Sequence, residues 1–331
     1  MTNSAPSAPF LKDLYTRMLL TRIVDQYAWK LHEQGQIDFV ASCRGHEAAQ
    51  VGSAVCIEIG ADFTLPYYRD LGVVLTIGMT PYEVFRTYLQ AHQFQSSAPS
   101  AHRFEEHADS YRDHVAKHQQ TMLHWGYHKH NTVTGPAPVA TQILHAAGIA
   151  FASKLRKAAV VTVAYCGDGA ITEPDFLEGI RFAALHQLPV VFICEQDCSF
   201  DAPQIEAPSC TQSITLPEGL THHCLDGADV LAVTTTMRAA MQHARQGHGP
   251  VLLEMHVTRP LLTLNDQDDR GHSESVAPSM SDILQSKDPL VCCQQLLQEQ
   301  GAWDEDWSAQ LHARITIEVE QALQDAMRDT F

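Results

Sequence analysis

The sequence predicts an α/β protein built around a doubly wound, mainly parallel sheet. From about residue 139, helical patterns alternate with the apolar runs AAVVTVAYC, LPVVFICE and GPVLLEMHVT. These runs are continuous in apolar residues, which is typical of parallel strands that are covered on both faces. The chain has 331 residues, 45% of them hydrophobic, which is enough for one large core or two modest ones, and length alone leaves that choice open. Our expectation is a single domain over residues 1–331.

The first part of the chain, residues 1–60, is expected to be helical. Residues 10–34 repeat apolar side chains at spacings of three and four, as one face of a helix requires. Residues 45–57 are rich in Ala and other small residues and predict a second, closely packed helix. Residues 62–70, DFTLPYYRD, read as an irregular segment between this region and the sheet.

A polar insertion interrupts the chain between these helices and the sheet. Residues 94–121 are rich in Ser and His and have no clear period. A segment of this length without its own pattern predicts a surface insertion or a mobile loop.

The sheet half contains three predicted helices and is followed by a helical tail. The patterns place buried or amphipathic helices over residues 139–157, 173–186 and 230–246. In the tail, residues 287–331, Asp288-Pro289 is a helix-start signal and Gly301 separates that helix from a second one that begins near Asp304. We expect these two helices to pack on the body of the protein or on a partner subunit.

The charge balance excludes some classes of partner. Lys and Arg number 22 against 39 Asp and Glu, for a formal charge of −17. Nucleic acids and anionic membranes need a positive field, so neither is an expected partner. The N-terminus lacks a basic stretch followed by an apolar block, and the apolar runs are short for a membrane span. A soluble cytoplasmic protein is the expectation.

The nine cysteines do not resemble a disulfide framework, because their number is odd and their spacing is scattered. A zinc site can be imagined from Cys194, Cys198, His222, His223 and Cys224. That spacing fits no common zinc pattern, so ordinary buried or surface thiols are the favoured interpretation.

The stretch YCGDGAITEPDF, residues 165–176, carries the clearest chemical signal. Gly167-Asp168-Gly169 follows a buried strand, at the end where ligands bind in open α/β sheets. Glycines let backbone amides approach a phosphate, and the next helix directs its positive end there. The Asp168 carboxylate would repel a bare phosphate, but it suits Mg²⁺ held between protein and a diphosphate. A tight turn without a ligand is the alternative.

A second magnesium ligand is expected at the end of the next parallel strand. The sequence CEQD, residues 194–197, lies there, and Asp197 offers a carboxylate at the matching height. The backbone carbonyl of Ser199 could supply a third ligand. Together with Asp168, these residues predict a magnesium site that bridges two strand ends.

The chain resembles a known family. Gly-Asp-Gly followed by FAALHQLPVVFIC and an acidic or amide pair is similar to the thiamine diphosphate motif. More narrowly, the chain resembles the alpha subunit of the decarboxylating component of 2-oxoacid dehydrogenase complexes. The likeness runs through RGHEAAQVGSAVCIEIGADFTLPYYRDLGVVLTIGM, APVATQ and KDPL with LLQEQGAWDED. HWG before PVATQ makes the branched-chain type the nearer one.

The resemblance implies a set of cofactor and metal residues. The diphosphate and the pyrimidine side of thiamine diphosphate would be met by Tyr68, Arg69, Ala137, Val139, Gly167, Asp168, Gly169, Ala170 and Asp197. Mg²⁺ would be held by Asp168, Asp197 and the carbonyl of Ser199, and a structural K⁺ by the stretch with Pro136, Pro138, Thr141 and Gln142. Alternatively, Tyr68-Arg69 could belong to a surface salt bridge, and Thr141 and Gln142 could cap a helix.

The resemblance also implies a reaction and partners. In the family, the thiazolium carbanion of the cofactor adds to a 2-oxo acid, CO₂ leaves, and the acyl group passes to lipoyl. The Glu that generates the carbanion comes from a beta subunit, so an alpha2beta2 assembly is expected. A lipoyl-bearing acyltransferase is a possible further partner.

The chain departs from the family pattern in several places. Gln196-Asp197 stands where the family has Asn-Asn, and residues 118–122 lack the family's Gly-Arg-Gln-Met-Pro block. The segment between Ser199 and Asp229 is shorter than in the family. The family has a His pair in a mobile loop, and one of the two assists substrate binding and acyl transfer. At the aligned positions this chain has Leu262 and Thr263, although Arg259 is kept. Since Thr263 cannot transfer a proton as His does, the catalytic residues of this chain are not assigned.

Two main hypotheses follow from the sequence. In the first, the chain is a subunit of a thiamine-diphosphate-dependent oxidative decarboxylase. In the second, it is a divergent, catalytically impaired paralogue that serves as an assembly or regulatory module. A nucleotide-binding protein of another class is disfavoured, because the chain has no G-x-x-x-x-G-K-[ST] and no G-x-G-x-x-G after a strand.

Overall fold

The computed structural model describes residues 7–96, 125–126, 130–135, 138–198, 215–259 and 287–330. The helices are α1 (Ala8–Glu33), α2 (Glu47–Ala54), α3 (Leu71–Thr76), α4 (Pro81–Ser96), α5 (Thr141–Leu155), α6 (Pro174–Leu185), α7 (Val230–Arg245), α8 (Pro289–Glu299) and α9 (Glu305–Thr330). The strands are β1 (Phe63–Leu65), β2 (Thr162–Gly167), β3 (Val190–Asp197), β4 (Thr221–Asp226) and β5 (Val251–Val257). Apart from residues 94–96 at the end of α4, the predicted polar insertion 94–121 lies outside the described residues.

The strands form one parallel sheet in the order β1-β2-β3-β5-β4. The predicted doubly wound α/β class is therefore confirmed. Two strands were not predicted. Residues 62–70 are not wholly irregular, because β1 lies within them and pairs with β2. β4 has the sequence THHCLD and lies at the sheet edge, so it lacks the apolar run of a strand buried on both faces.

Helices cover both faces of the sheet. On one face, side chains of α2, α3 and α7 pack against β2, β3 and β5 in a buried cluster that includes Val163, Ile193 and Leu253. On the other face, α5 and α6 pack over the alternate side chains, among them Ala164 and Phe192. Because successive strand residues point to opposite faces, β2, β3 and β5 each contribute to both clusters.

The helical tail packs on the N-terminal helices. A third cluster joins buried side chains of α1, α4, α8 and α9. At the start of α8, the Asp288 carboxylate accepts a hydrogen bond from the Leu290 amide and pairs with Arg22 of α1 at 3.0 Å. Arg22 also pairs with the buried carboxylate of Glu47 in α2. The expectation that the tail packs on the body of the protein is confirmed.

Among the described helices, none combines the length and the apolar character needed to cross a membrane.

Candidate functional site

The Gly-Asp-Gly turn lies at the carboxyl end of β2. Gly167 ends the strand, and Asp168–Ala170 form a single 3₁₀ turn before α6 begins at Pro174. Gly169 is exposed, and a Cβ placed on it would meet no atom within 4 Å. A Cβ on Gly167 would come within 3.4 Å of the Tyr67 ring. The turn is thus open on its outer side and closely packed beneath.

Asp197 lies at the corresponding end of β3, the neighbouring strand. In the parallel register Gly167 pairs with Glu195, so Asp197 follows two residues beyond that pair. Asp168 and Asp197 therefore lie at the ends of adjacent strands, where the sequence predicted them. Asp197 also accepts a hydrogen bond at 2.5 Å from Nε of Arg259, which follows β5. The retained Arg259 is thus in direct contact with a predicted metal ligand.

The backbone around Arg259 is held against the loop that leads into α2. Gly45 has a φ of +91°, and a Cβ there would lie 2.2 Å from the carbonyl oxygen of Thr258. No side chain fits at that distance, so glycine is required. Through this contact, the position of Arg259 depends on the segment that also carries His46.

Arg69 is buried rather than exposed. It retains 8% of its accessible surface, and its Nη1 donates to the Ser42 carbonyl at 2.6 Å. Its guanidinium lies 5.6 Å from the centre of the Tyr68 ring. The alternative that Tyr68-Arg69 belongs to a surface salt bridge is wrong. A buried cation near the strand ends suits an anionic ligand.

A buried polar network lies beneath the site, and the sequence analysis did not identify it. The Oε2 atom of Glu195 accepts three hydrogen bonds: from His46 Nδ1 at 2.6 Å, from Gln50 Nε2 at 3.1 Å and from the Tyr67 hydroxyl at 2.8 Å. All of these side chains are buried. A signal existed in GHEAAQ, where His46 and Gln50 are four residues apart on one helical face.

Burial shifts the ionisation of groups in this network. The pKa of Tyr67 is well above its ordinary value because of burial and then the charge of Glu195. The pKa of Asp70 is also raised well above its usual range, first by burial and then by Glu195. Asp70 accepts a hydrogen bond from the Tyr67 amide at 2.7 Å. Two carboxyl groups thus share one buried region, which favours the protonated form of Asp70.

The residues expected near the pyrimidine and the potassium ion are only partly described. Val139 is 51% exposed. Thr141 donates to Asp175 at 2.6 Å, and Gln142 donates to the Tyr165 carbonyl at 3.0 Å. The alternative that Thr141 and Gln142 cap a helix is wrong, because the N-cap of α5 is Ala140 and no side chain bonds there. Pro136, Ala137, Ser199, Leu262 and Thr263 lie outside the described residues.

Comparison with known proteins decides the family. The model of the family described as "Dehydrogenase E1 component" matches residues 15–331. This chain belongs to the dehydrogenase E1 component family.

Three relatives of this E1 chain are alpha subunits. It is 34% identical to the 2-oxoisovalerate dehydrogenase subunit alpha of Bacillus subtilis, over 95% of this chain and 89% of that protein. It is 32% identical to a 3-methyl-2-oxobutanoate dehydrogenase subunit alpha of Mycobacterium tuberculosis, covering 96% of this chain and 78% of that one. Identity to the pyruvate dehydrogenase E1 component subunit alpha of B. subtilis is 27%, over 96% and 77%. The predicted family resemblance is confirmed.

Proposed function

We propose that this E1 chain is the alpha subunit of a thiamine-diphosphate-dependent 2-oxoacid dehydrogenase. The reaction is the oxidative decarboxylation of a 2-oxo acid, with transfer of the acyl group to lipoyl or another acceptor. One observation carries the proposal for this chain's own residues. Asp168 and Asp197 lie at the ends of two adjacent parallel strands, and the buried Arg69 is two residues after Tyr67, whose ring packs beneath Gly167.

The residues present suit magnesium and a diphosphate. Two carboxylates are hard oxygen ligands of the kind that Mg²⁺ binds together with phosphate oxygens. The open space above Gly169 leaves room for a ligand to approach the backbone. Beneath the site, Glu195 Oε1 and His46 Nε2 are buried and have no hydrogen-bond partner within the described part of the chain. These features support cofactor binding at the strand ends.

Each group has a separate role in this proposal. Thiamine diphosphate, when bound, supplies the carbanion that attacks the 2-oxo acid. Asp168 and Asp197 would hold Mg²⁺, together with the Ser199 carbonyl that the sequence predicts. Arg69 would bind the diphosphate, and its hydrogen bond to Ser42 orients the guanidinium. Tyr67 and Glu195 position the segments that carry Arg69 and Asp197.

The contact between Arg259 and Asp197 supports a coupling between the proposed magnesium site and the loop after Arg259, in which Leu262 and Thr263 replace the family's His pair. Arg259 is the last described residue before that loop, and its Nε is 2.5 Å from the Asp197 carboxylate. Magnesium binding at Asp197 would compete with this ion pair or share the carboxylate with it. The conformation of the loop base would then respond to the metal.

The choice of first substrates follows from the relatives. Two of them are named for 2-oxoisovalerate and 3-methyl-2-oxobutanoate, and the B. subtilis protein named for the former is 34% identical. A branched-chain 2-oxo acid is therefore the first substrate to test for this chain, and pyruvate is the second.

A beta subunit is proposed as the partner, in an alpha2beta2 assembly. The activating Glu of the proposed reaction would come from that subunit. Exposed apolar side chains on the outer helical layer, Leu155 at 69%, Phe182 at 38% and Leu185 at 79%, are compatible with a subunit contact. The structural K⁺, the lipoyl-bearing acyltransferase and a cytoplasmic location remain predictions.

The test combines the chain with a competent beta subunit, Mg²⁺ and thiamine diphosphate. Turnover of branched-chain 2-oxo acids or pyruvate is followed with an artificial electron acceptor. Calorimetry of the same assembly should show cofactor binding that Asp168→Ala abolishes. Absence of turnover on every 2-oxo acid tested would contradict the enzymatic proposal.

The same experiment distinguishes the enzyme from a second candidate function. Leu262 and Thr263 replace the family's His pair, which favours an assembly or regulatory module over a full enzyme. In that case the assembly would form, but neither cofactor binding nor its loss in Asp168→Ala would be observed.

A further inference from the structure

A cluster of metal-ligand side chains lies between β4 and β5, outside the residues assigned to the cofactor. His222, Cys224 and Glu254 each place one ligand atom within 4.8 Å of the others. His222 and Cys224 are two residues apart on β4, so they point to the same face. Glu254 pairs with Cys224 across the parallel register. The sheet itself therefore brings these three side chains together.

The two separations that involve His222 are those of ligands around a tetrahedral zinc ion. The distance from His222 Nε2 to a Glu254 oxygen is 3.3 Å, and that from His222 Nε2 to Cys224 Sγ is 3.7 Å. Typical Zn–N, Zn–O and Zn–S bonds with tetrahedral angles require about 3.3 Å between N and O and about 3.6 Å between N and S. Two edges of the triangle therefore have the length that a tetrahedral site requires, and the third edge, between Cys224 and Glu254, is within 4.8 Å.

The environment of Glu254 also favours a cation. Its side chain is 2% exposed, and a buried carboxylate requires a compensating partner. The other carboxylate oxygen lies 3.3 Å from Nε2 of His256, whose Nδ1 is 3.2 Å from Cys198 Sγ. Side chains that contact a metal ligand without contacting the metal orient that ligand, and His256 would do so for Glu254.

The oxidation state of Cys224 decides whether its sulfur is available to bind a metal. In the structure Cys224 is disulfide-bonded, whereas the seven other described cysteines are not in disulfides. A sulfur in a disulfide is not a thiolate ligand, whereas the reduced thiolate binds zinc well. A dithiol reductant would supply two electrons and two protons, break the S–S bond and itself become a disulfide. Zn²⁺ would then bind the Cys224 sulfur and release its proton to solvent.

We propose that His222, Cys224 and Glu254 form a redox-controlled site for a zinc-like divalent cation. The site is available when Cys224 is reduced and is lost when Cys224 is in its disulfide. Spacing along the chain alone did not predict it, because Glu254 completes the set from a strand about thirty residues further on. This proposal is independent of the proposed enzymatic function.

The test uses Co²⁺ as a spectroscopic probe of the full-length chain after removal of metals with a chelator. A thiolate ligand produces a charge-transfer absorption with Co²⁺, so the band reports the Cys224 sulfur directly. We expect one thiolate-bound Co²⁺ per reduced chain, displaced by Zn²⁺, and no thiolate band in the disulfide form. Cys224→Ser should lose the band, and His222→Gln should weaken binding by at least about 10-fold.

His223→Gln is the matched control, because His223 is the exposed neighbour on the opposite face of β4. It should bind Co²⁺ as the unchanged chain does. Asp168→Ala should also leave the band unchanged, since Asp168 belongs to the proposed magnesium site. Circular dichroism checks that each variant folds, and His222→Gln carries the test if Cys224→Ser does not. A band that is absent from the reduced chain, or that survives in His222→Gln at full affinity, would overturn the proposal.

Discussion

The hydrogen bond between Tyr67 and Glu195 provides a quantitative test of the buried network. The change is Tyr67→Phe, which removes one hydroxyl and keeps the ring that packs beneath Gly167. The lost bond is 2.8 Å long and ends on a carboxylate buried at 1% exposure. Hydrogen bonds to charged groups contribute about 1.5–3 kcal/mol, so we expect a loss of that size in the free energy of unfolding.

The matched control is Tyr165→Phe, in the same buried cluster. The Tyr165 hydroxyl is 3.0 Å from Ser53 Oγ, and both partners are neutral hydroxyls. A neutral hydrogen bond contributes about 0.5–1.5 kcal/mol, so this variant should lose about 1–1.5 kcal/mol less than Tyr67→Phe. Urea unfolding of both variants, with linear extrapolation, measures the difference.

The same pair of variants also tests the link to the site. Tyr67 is two residues before Arg69, and Glu195 is two residues before Asp197. We therefore expect Tyr67→Phe to weaken the binding of thiamine diphosphate with Mg²⁺ in calorimetry, while Tyr165→Phe changes it little. If the two variants lose equal stability and bind equally well, the reasoning about a charged network beneath the site is refuted.

Three further predictions follow from individual contacts. Gly45→Ala should destabilise the fold strongly, by about 3 kcal/mol or more, because its Cβ would lie 2.2 Å from the Thr258 oxygen; Gly148→Ala, in open space on α5, should be neutral or slightly stabilising in the same urea titration. The folded pKa of Asp70 is raised, so its contribution to stability is present below its unfolded pKa of about 3.9 and is lost as pH rises through the folded value. Asp70→Asn should therefore flatten the fall in unfolding free energy above that pH, and an unchanged pH profile would contradict this. Finally, a double-mutant cycle of Arg259→Gln and Asp197→Asn in the chain without cofactor should give a coupling of about 1 kcal/mol; additive effects would show that the ion pair does not stabilise the chain.

Local signals sufficed for the elements that are buried on both faces or explicitly capped. The apolar runs predicted β2, β3 and β5, because a parallel strand covered by helices has no polar face. Asp288-Pro289 predicted the start of α8, where the Asp288 carboxylate caps the helix. The same logic failed at β4, since an edge strand with the sequence THHCLD has no continuous apolar run.

The motif residues were predictable where chemistry and chain position coincide. Asp168 and Asp197 each follow an apolar run, and parallel pairing of those runs necessarily brings their ends together. The ion pair between Asp197 and Arg259 was not predictable from the sequence. It forms because β5 lies between β3 and β4 in the sheet, and the sequence does not show this strand order. The burial of Arg69 was not predictable either, because the sequence left a surface salt bridge open as an alternative to cofactor binding.

The sequence by itself determined the fold class, the family and the two strand-end carboxylates, because these depend on periodicity and on residues close together in the chain. Only the tertiary structure decided which distant side chains meet. Glu195 meets His46, Gln50 and Tyr67 across the sheet face, and Glu254 meets His222 and Cys224 across the edge pair. The physical reason is that strand order and helix packing set these contacts, and neither is encoded in the spacing of the residues along the chain.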